Sequence, residues 1–341
     1  MRGRPGANLR AAVVGTGLIG GSVLLRLQEW GADVTGWDPD RSTRAQGRDR
    51  GLRFPDELTD AVRDRDVVFL CGPLPTLPET LLTVAKSAGD GCVVTDVGST
   101  KGGVTAFAVE QGLIGQFVPG HPMAGTDRAG LAAADPALFD GAAWVLCPTA
   151  DGLARFRFLA ALLAEVFRAR VVPMTVEAHD SVVALASHVP HLLAGSLAGA
   201  VARSPVRDAV LGLAAGSFRD GTRVAGTPAR RTADMLLNNR AEVLRQLAEV
   251  RAYLDELTAA LAAGDPAALV AGYERARAAR LALAGRVLEP GRREFPADGE
   301  AEEELVYLLE LGAAGGHLTG CRVEAGTVTY TVHVPGAAPL G

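Results

Sequence analysis

One short segment near the start of the chain limits the possible folds more than any other feature. Gly15-Thr-Gly-Leu-Ile-Gly20 follows an apolar run, Arg10–Val14, and leads into the helical stretch Leu18–Trp30. A second apolar run, Asp33–Trp37, ends at Asp38, 23 residues after the first glycine of the segment. A strand, a glycine loop, a helix and a second strand ending in an acid are the recognised context for dinucleotide binding. We therefore predict that the chain begins with a parallel sheet of the Rossmann type.

The glycine loop also predicts how a dinucleotide cofactor binds. Gly15 permits the tight turn, Gly17 lets the backbone approach the pyrophosphate, and Gly20 allows the helix to pack closely. The helix N-terminus offers N–H groups and a positive dipole end to the phosphates. We expect Leu18 and Ile19 to join the three glycines in binding the cofactor.

Asp38 predicts which cofactor this is. An acid at the end of the second strand hydrogen-bonds the adenosine ribose hydroxyls and repels a 2′-phosphate, so we expect NAD. Arg41 and Arg44 follow closely in the sequence. A nearby arginine can accommodate a 2′-phosphate, so NADP is the alternative.

Strands and helices continue to alternate up to residue 173. Asp66–Cys71 and Cys92–Asp96 are apolar runs that end at glycine-containing loops and precede helical sequence. This alternation is typical of a doubly wound parallel sheet with helices on both faces. We expect three later runs to extend the same sheet: Phe117–Pro119, Ala142–Cys147 and Arg170–Val172.

The sequence pattern changes at residue 174. Strand signals give way to alanine- and leucine-rich stretches with helical spacing, at 174–202, 205–218, 229–263 and 265–288. We predict an α/β dinucleotide-binding domain over 10–173 and an all-helical domain for substrate binding and dimerisation over 174–290. The apolar helix faces exceed what a lone bundle of this size needs, which indicates a subunit interface.

Both ends of the chain are predicted to lie outside the two main domains. Residues 1–9 have the composition of a short disordered tail. Residues 291–341 are predicted to form a linker, Pro290–Gly299, and then a short α+β tail. That tail consists of an acidic helix and two short strands: Glu300–Gly312, Cys321–Glu324 and Thr327–Val334.

Composition excludes several classes of partner. The net charge is −5 and no Lys/Arg cluster alternates with aromatic residues, so a nucleic-acid partner is not expected. The four cysteines show no C-x-x-C spacing, which argues against a disulfide framework or a zinc site and favours the reducing cytoplasm. The uncharged run Ala11–Leu25 is too short to span a bilayer, and we expect no membrane association.

Histidine supplies the candidate catalytic base, because its ordinary pKa lies nearest neutrality. His121, between a glycine and a proline, follows a predicted strand, and we expect it on a rigid loop facing the ligand crevice. Asp96-Val-Gly-Ser-Thr-Lys101 follows another strand, at the sheet edge where ligands bind in such folds. Ser99 is expected to hydrogen-bond a substrate hydroxyl, and Lys101 is either a charge partner or a lysine at a helix start. A base beside a nicotinamide implies oxidation of a C–OH group by hydride transfer.

A second pair of histidines occurs in Ser187-His-Val-Pro-His191. His188 and His191 are three residues apart, so they can share a helix face towards a substrate, and Pro190 interrupts the helical hydrogen bonding. Zinc is the competing interpretation, but no carboxylate or cysteine completes an obvious ligand set. We therefore predict substrate binding and no metal site.

Two arginines, Arg219 and Arg223, lie in Phe218–Ala225, which is predicted to be a polar loop between apolar helices. Arginine is suited to a bidentate grip on a carboxylate. The alternative for both residues is a solvated surface position.

Taken together, these motifs resemble the prephenate/arogenate dehydrogenase family of tyrosine biosynthesis. The matching segments are Gly15–Gly20, Asp96–Lys101, Gly120–Gly125, Glu177–Asp180, Ser187–His191, Phe218–Ala225 and Asp234–Asn239. The resemblance implies a homodimeric, NAD-dependent oxidoreductase. The implied reaction is the oxidative decarboxylation of prephenate to 4-hydroxyphenylpyruvate.

The resemblance also implies residue roles. His121 matches the catalytic histidine on the ring C4 hydroxyl, and Ser99 matches the serine on the same hydroxyl. His191 matches a histidine that lines the substrate pocket, and Arg223 matches the arginine that binds the ring carboxylate. Because His121 must start neutral, the rate is expected to rise with pH as it loses its proton. Thr232 stands where many relatives have a tryptophan near the pyruvyl side chain, and the tail is at most a fragment of a regulatory ACT domain.

Several other functions stay open at this point. The substrate could instead be arogenate, or 4-amino-4-deoxyprephenate, in which an amine replaces the hydroxyl. A 3-hydroxyacid dehydrogenase typically relies on a lysine in its helical domain, and this chain has no lysine after Lys101. A non-catalytic NAD-binding regulator is disfavoured because the candidate site residues are intact.

Overall fold

The computed structural model describes residues 9–126 and 128–336, which divide into two compact units. The first unit contains the chain up to His179 together with Glu289–Val334, and the second contains Asp180–Leu288. The disordered tail predicted for residues 1–9 lies outside the described residues, apart from Leu9.

A five-stranded parallel sheet forms the first half of the first unit. Its strand order is β2-β1-β3-β4-β5. The strands are β1 (Arg10–Val14), β2 (Asp33–Trp37), β3 (Val67–Leu70), β4 (Val93–Asp96) and β5 (Phe117–Val118). These runs are almost wholly buried, because a parallel sheet has helices on both faces. The predicted Rossmann-type sheet is thus confirmed, with strand ends that differ by one or two residues.

Helices connect these strands, as the alternating pattern predicts. They are α1 (Leu18–Trp30), α2 (Arg41–Asp49), α3 (Leu58–Val62), α4 (Leu77–Ala88), α5 (Gly102–Glu110) and, later in the chain, α6 (Leu153–Glu165). Helix α1 has the predicted bounds and ends at Gly31, whose φ of 94° is the left-handed value that a glycine C-cap favours.

A second, mixed sheet contains the later strands. Of the three runs expected to extend the first sheet, Phe117–Pro119 does so as β5, whereas Ala142–Cys147 and Arg170–Val172 belong to the second sheet. Three of its strands are β6 (Gly120–Pro122), β7 (Ala143–Leu146) and β8 (Arg170–Pro173). β7 pairs with β8 in parallel and with β6 in antiparallel register. Pro119, between β5 and β6, has no N–H to continue a ladder, and the chain changes sheets at this residue.

The C-terminal segment completes this second sheet. Its elements are β9 (Leu288–Pro296), β10 (His317–Glu324) and β11 (Thr327–Pro335), and the order of the sheet is β6-β7-β8-β10-β11-β9. The predicted linker Pro290–Gly299 is therefore mostly strand. β9 lies at the sheet edge, where proline and charged residues are tolerated, and this edge composition is what resembles a linker.

Buried ionic contacts fasten the C-terminal segment to α6. Helix α14 (Ala301–Ala313) carries Glu304, which is almost fully buried and accepts two hydrogen bonds from the guanidinium of Arg157. Tyr330 donates its phenolic hydrogen to the same carboxylate at 2.6 Å. The hydrogen bond to Glu304 raises the pKa of Arg157, and burial raises the pKa of Tyr330, so both donors keep their protons. Apolar side chains of this segment share one core with β1 and β3.

The second unit is built from helices joined by short turns. Its helices continue from α7 (Val176–Val183), which begins in the first unit, through α8 (Val189–Ala202), α9 (Arg207–Leu213), α10 (Gly216–Thr222), α11 (Ala229–Asn238), α12 (Arg240–Ala262) and α13 (Pro266–Ala284). The stretch 229–263 is two helices that meet at Asn239, not one. The predicted polar loop Phe218–Ala225 is helical as well, formed by α10 and a 3₁₀ turn, Arg223–Gly226.

One part of this helical region is unusually apolar. Val176–Ala202 is the one described helix that is long and apolar enough to cross a membrane by length and composition, and 28% of its most apolar window is buried. The core helices of proteins outside membranes pass the same test, so length and composition alone do not establish a membrane span.

We expect the Glu304 contacts to stabilise the first unit. Glu304→Gln leaves Arg157 without its counter-charge, and the free energy of unfolding should fall by about 3–5 kcal/mol, as when a buried pair loses one partner. Urea unfolding checks this value. The matched control is Glu303→Gln, because Glu303 is 70% exposed and lies 3.6 Å from Arg293. The control should change stability by less than about 1 kcal/mol, and equal losses in both variants would contradict the role of burial.

Candidate active site

The glycine loop between β1 and α1 has the shape that a pyrophosphate requires. Gly15 has a φ of 90°, and a Cβ there would come within 2.7 Å of the backbone nitrogen of Gly72. A Cβ at Gly20 would overlap the carbonyl oxygen of Gly15. Gly17, in contrast, has nothing within 4 Å of a Cβ position, and no side chain caps the N-terminus of α1 behind it. The loop and the uncapped N-terminus of α1 therefore fit a dinucleotide phosphate.

Asp38 lies beside this loop at the end of β2. Its Oδ2 accepts hydrogen bonds from the backbone N–H of Thr16 at 2.7 Å and from the Thr16 hydroxyl at 3.3 Å. Arg44 is buried, donates to the carbonyl oxygen of Asp38 at 2.6 Å and stacks on Trp37. Arg44 is therefore already engaged with the backbone. Arg41 is exposed, and of the two arginines it is the one with a side chain open to a 2′-phosphate.

A buried ion pair lies where β4 ends. Asp96 and Lys101 are both fully buried and in direct contact. Lys101 Nζ also donates to the carbonyl oxygen of Gly120 at 2.7 Å, while the Gly120 N–H donates to Asp96 Oδ1 at 3.0 Å. Of the two roles considered for Lys101, the structure favours the charge partner. The pair fixes the residue that immediately precedes His121.

His121 lies in β6, opposite Val145 of β7, and not on a loop as predicted. Its Nδ1 is 2.9 Å from Nε2 of His179, and the two rings meet edge to face. His179 is fully buried in α7. Ser99 is half-buried in the turn between β4 and α5. The structure therefore joins His121 to a second histidine that sequence reasoning did not select.

The only sequence signal for His179 was its position in Glu177–Asp180, one of the segments that carry the family resemblance. A polar residue at the start of an apolar helical run can equally be a surface residue, so the pattern could not assign a role. Only the contact with His121 distinguishes it.

The histidines of the second unit differ from each other. His188 is buried, and its Nδ1 accepts a hydrogen bond from the Asn239 amide at 3.1 Å, while the same amide donates to the carbonyl oxygen of Asp180. His191 is half-buried and donates from Nδ1 to the carbonyl oxygen of Ser187 at 2.9 Å, which leaves its Nε2 as an acceptor. The predicted shared face is thus divided: the ring of His188 fills the interior of the unit, and that of His191 reaches its surface.

The backbone explains this division. Ala184–His188 is a π-helical turn, and the N–H of Val189 donates to the carbonyl oxygen of Ala184. Pro190 lies in the first turn of α8, directly after the π turn, and has no N–H to continue the helical hydrogen bonding. The two histidines lie on either side of the junction between the π turn and α8.

Arg223 and Arg219 are both exposed on the second unit, in the 3₁₀ turn and in α10 respectively. The glycine loop, Asp38, Ser99 and His121 belong to the first unit, and His188, His191 and Arg223 belong to the second. In the ranges 9–126 and 128–336, no group of three or more His, Cys, Asp or Glu side chains is placed to hold a metal ion.

Known proteins are similar to this chain in fold and in sequence. Residues 23–172 match the family model of the prephenate dehydrogenase nucleotide-binding domain, and residues 175–274 match the prephenate dehydrogenase dimerization domain. The cyclohexadienyl dehydrogenase of Zymomonas mobilis is 34% identical over 278 residues, covering 80% of this chain and 95% of that protein. The chain therefore belongs to the prephenate dehydrogenase family.

Two solved structures are similar over most of the chain. A putative prephenate dehydrogenase from Corynebacterium glutamicum has a TM-score of 0.78 at 29% identity and covers 89% of this chain and 97% of its own. The prephenate dehydrogenase of A. aeolicus, solved with hydroxyphenyl propionate and NAD+, has a TM-score of 0.73 at 25% identity and covers 81% and 98%.

We expect Lys101 to be essential for the strand ends to stay together. Lys101→Met leaves the Asp96 carboxylate buried without its counter-charge, so the free energy of unfolding should fall by about 3–5 kcal/mol. The chain has one other lysine, Lys86, which is exposed on α4, and Lys86→Met should change stability by no more than about 0.5 kcal/mol. Urea unfolding of the two variants, each compared with the unmodified protein, measures the difference. Equal stabilities would show that the buried pair does not hold the site.

Proposed function

We propose that this chain catalyses the oxidative decarboxylation of prephenate to 4-hydroxyphenylpyruvate, with His121 as the general base. The observation that carries the proposal is the 2.9 Å contact between His121 Nδ1 and His179 Nε2. Bound NAD+ supplies the hydride acceptor for ring C4, and the C1 carboxylate leaves as CO2 when the ring becomes aromatic. The chain's own side chains must take the hydroxyl proton and hold the carboxylates.

The His121–His179 contact can prepare the base. One of the two nitrogens must donate and the other must accept. When His121 Nδ1–H donates to His179 Nε2, the Nε2 of His121 carries a lone pair and can accept the C4 hydroxyl proton. After the transfer, the imidazolium still donates to His179, which stabilises the new charge. His179 is thus a positioning residue with the role that a carboxylate has in other histidine-based sites.

Other residues of the first unit support this base. Lys101 and Asp96 fix Gly120, so the backbone beside His121 cannot shift when the ring changes charge. Ser99, in the turn after β4, is proposed to hydrogen-bond the same C4 hydroxyl. Asp38 is proposed to hold the adenosine ribose, next to the glycine loop that receives the phosphates.

The second unit is proposed to bind the rest of the substrate. Arg223 is exposed and can form two parallel hydrogen bonds to the ring carboxylate. The surface Nε2 of His191 is the acceptor that the second unit offers to a substrate. His188 supports this role from the interior, through Asn239, without a substrate contact of its own. Thr232 leaves more space near the side chain of the substrate than a tryptophan does.

The family match disfavours a 3-hydroxyacid dehydrogenase, as does the absence of lysine from the second unit. Arogenate differs from prephenate only in the side chain, so the base and the hydride step described above serve both substrates. The curated relatives that match this chain are named cyclohexadienyl and prephenate dehydrogenases, and this favours prephenate over an amino analogue.

We also propose that the enzyme is a cytoplasmic homodimer whose interface lies in the second unit. Residues 175–274 match a dimerization domain, and α8 exposes Leu193 and Leu197 to solvent by 44% and 47% in the single chain. Exposed leucines on the apolar helix Val176–Ala202 are explained if a second copy covers them.

His121→Asn should lower kcat on the order of 10²–10⁴-fold, because a positioned base contributes that much. The KM for prephenate and the affinity for NAD+ should hardly change. Initial rates of NADH formation measure both constants. Turnover close to that of the unmodified enzyme would reject His121 as the base.

Two substitutions of His179 separate positioning from packing. His179→Leu removes the acceptor and should lower kcat on the order of 10²-fold, as expected when a reacting group is misplaced. His179→Gln keeps an acceptor oxygen and should retain more of the activity. In His179→Leu, the acid limb of kcat/KM should move to lower pH, because protonated His121 loses a stabilising acceptor. Identical pH profiles in all three proteins would contradict this role.

Light scattering should give twice the chain mass of 35.3 kDa, without added ligand. Leu197→Asp should shift the protein towards the monomer, because it places a charge in an apolar interface. The matched control is Val109→Asp, which changes a 59% exposed residue of α5 in the first unit and should leave the dimer intact. A monomer at micromolar concentration for the unmodified chain would contradict the proposal.

A further inference from the structure

The second sheet links the two histidines to the C-terminal segment. His121 is in β6, which pairs with β7, and β7 pairs with β8. β8 pairs on its other side with β10, where Leu318 is opposite Val171. β8 also leads directly into α7, which carries His179. The C-terminal segment therefore lies against the strand whose end determines where His179 is placed.

Gly312 makes the closest approach between the C-terminal segment and that strand end. It is buried in α14, and a Cβ added there would overlap the carbonyl oxygen of Pro173, the last residue of β8. The next residue, Met174, donates its N–H to the carbonyl oxygen of Leu146 in β7. The helix packs here directly on backbone, and only glycine leaves enough space.

The connection from Pro173 to His179 is short and internally bonded. The carbonyl oxygen of Thr175 accepts the N–H of His179 at 2.9 Å, and the Thr175 hydroxyl accepts the N–H of Ala178 at 3.1 Å. The first turn of α7 is therefore a rigid continuation of β8. A displacement of Pro173 must move the His179 ring as well.

Helix α14 cannot easily move away to relieve such a displacement. Glu304 in its first turn is held by Arg157 of α6 and by Tyr330 of β11. Leu308 and Leu311 are buried in the core shared with the first sheet. Added volume at position 312 is therefore accommodated mainly by Pro173, at the beginning of the path to His179.

From these contacts we infer that Gly312 is a positioning residue for the His121–His179 pair, and that the C-terminal segment is a working part of the catalytic unit. The inference rests on the proposed function, because it gives the pair its catalytic role. It extends that function to residues beyond the matched family domains, which end at residue 274. The C-terminal segment has this effect by fixing the end of β8, and it does not need to bind a ligand to do so.

The test compares Gly312→Ala with Ala313→Leu in the full-length protein. Ala313 is the neighbouring residue on α14 and is exposed, so the larger leucine extends into solvent. Gly312→Ala should lower kcat with prephenate roughly 10–100-fold, the range for a misplaced catalytic group. Its KM for NAD+ should stay within about twofold, because the glycine loop is not displaced, and the acid limb of kcat/KM should move to lower pH, as in His179→Leu. Ala313→Leu should match the unmodified enzyme.

A double-mutant cycle separates positioning from general damage. In the His179→Leu background, Gly312→Ala should cost no more than about twofold in kcat, because the contact it disturbs is already gone. Full additivity, or an unchanged pH profile in Gly312→Ala, would overturn the inference.

A second variant covers the case in which Gly312→Ala does not fold. Glu304→Gln loosens α14 without adding volume, and below its melting temperature it should show the same loss of kcat and the same pH shift, relative to Glu303→Gln. An unshifted pH profile in Glu304→Gln overturns the inference. If the unmodified protein does not turn over prephenate, the proposed function itself fails, and that result is distinct from an unshifted profile in an active enzyme.

Discussion

The buried pair between Asp96 and Lys101 is the interaction on which the rest of the site depends. It joins the end of β4, in the first sheet, to Gly120, at the beginning of a strand in the second sheet. Burying two charges is costly, and the cost is offset here because both backbone groups of Gly120 complete the hydrogen bonding of the pair. The ends of the two sheets are thereby held together next to His121, the proposed base.

The second sheet adds a further constraint. It places His121 on β6 and, through β8, the buried His179 opposite it. The C-terminal strands and α14 pack against the same β8 and share a core with the first sheet. The first unit therefore combines early and late segments of the chain, and His121, the proposed base, is fixed within it by contacts of the protein alone. This preorganisation is what a positioned proton acceptor requires.

Sequence reasoning predicted the parts of this structure that have local signals. Strands β1–β4 are continuous apolar runs, and each ends next to a glycine or an acid. The predicted bounds of these strands agree with the structure to within two residues, and the glycine loop and Asp38 lie where they were predicted. It could not predict β6, because three residues around a proline carry no periodicity. It also missed β9, whose charged edge composition resembles a linker, and His179, whose importance comes from a partner 58 residues earlier in the chain.

The central claim is that this chain oxidises and decarboxylates prephenate with NAD+. The most direct test supplies purified protein with NAD+ and, in parallel, prephenate, arogenate or 4-amino-4-deoxyprephenate, and measures NADH and CO2 together. The account predicts one NADH and one CO2 for each prephenate consumed, with 4-hydroxyphenylpyruvate as the product and the highest kcat/KM of the three substrates. Formation of NADH with the amino analogue alone, or no NADH with any of the three, would contradict it.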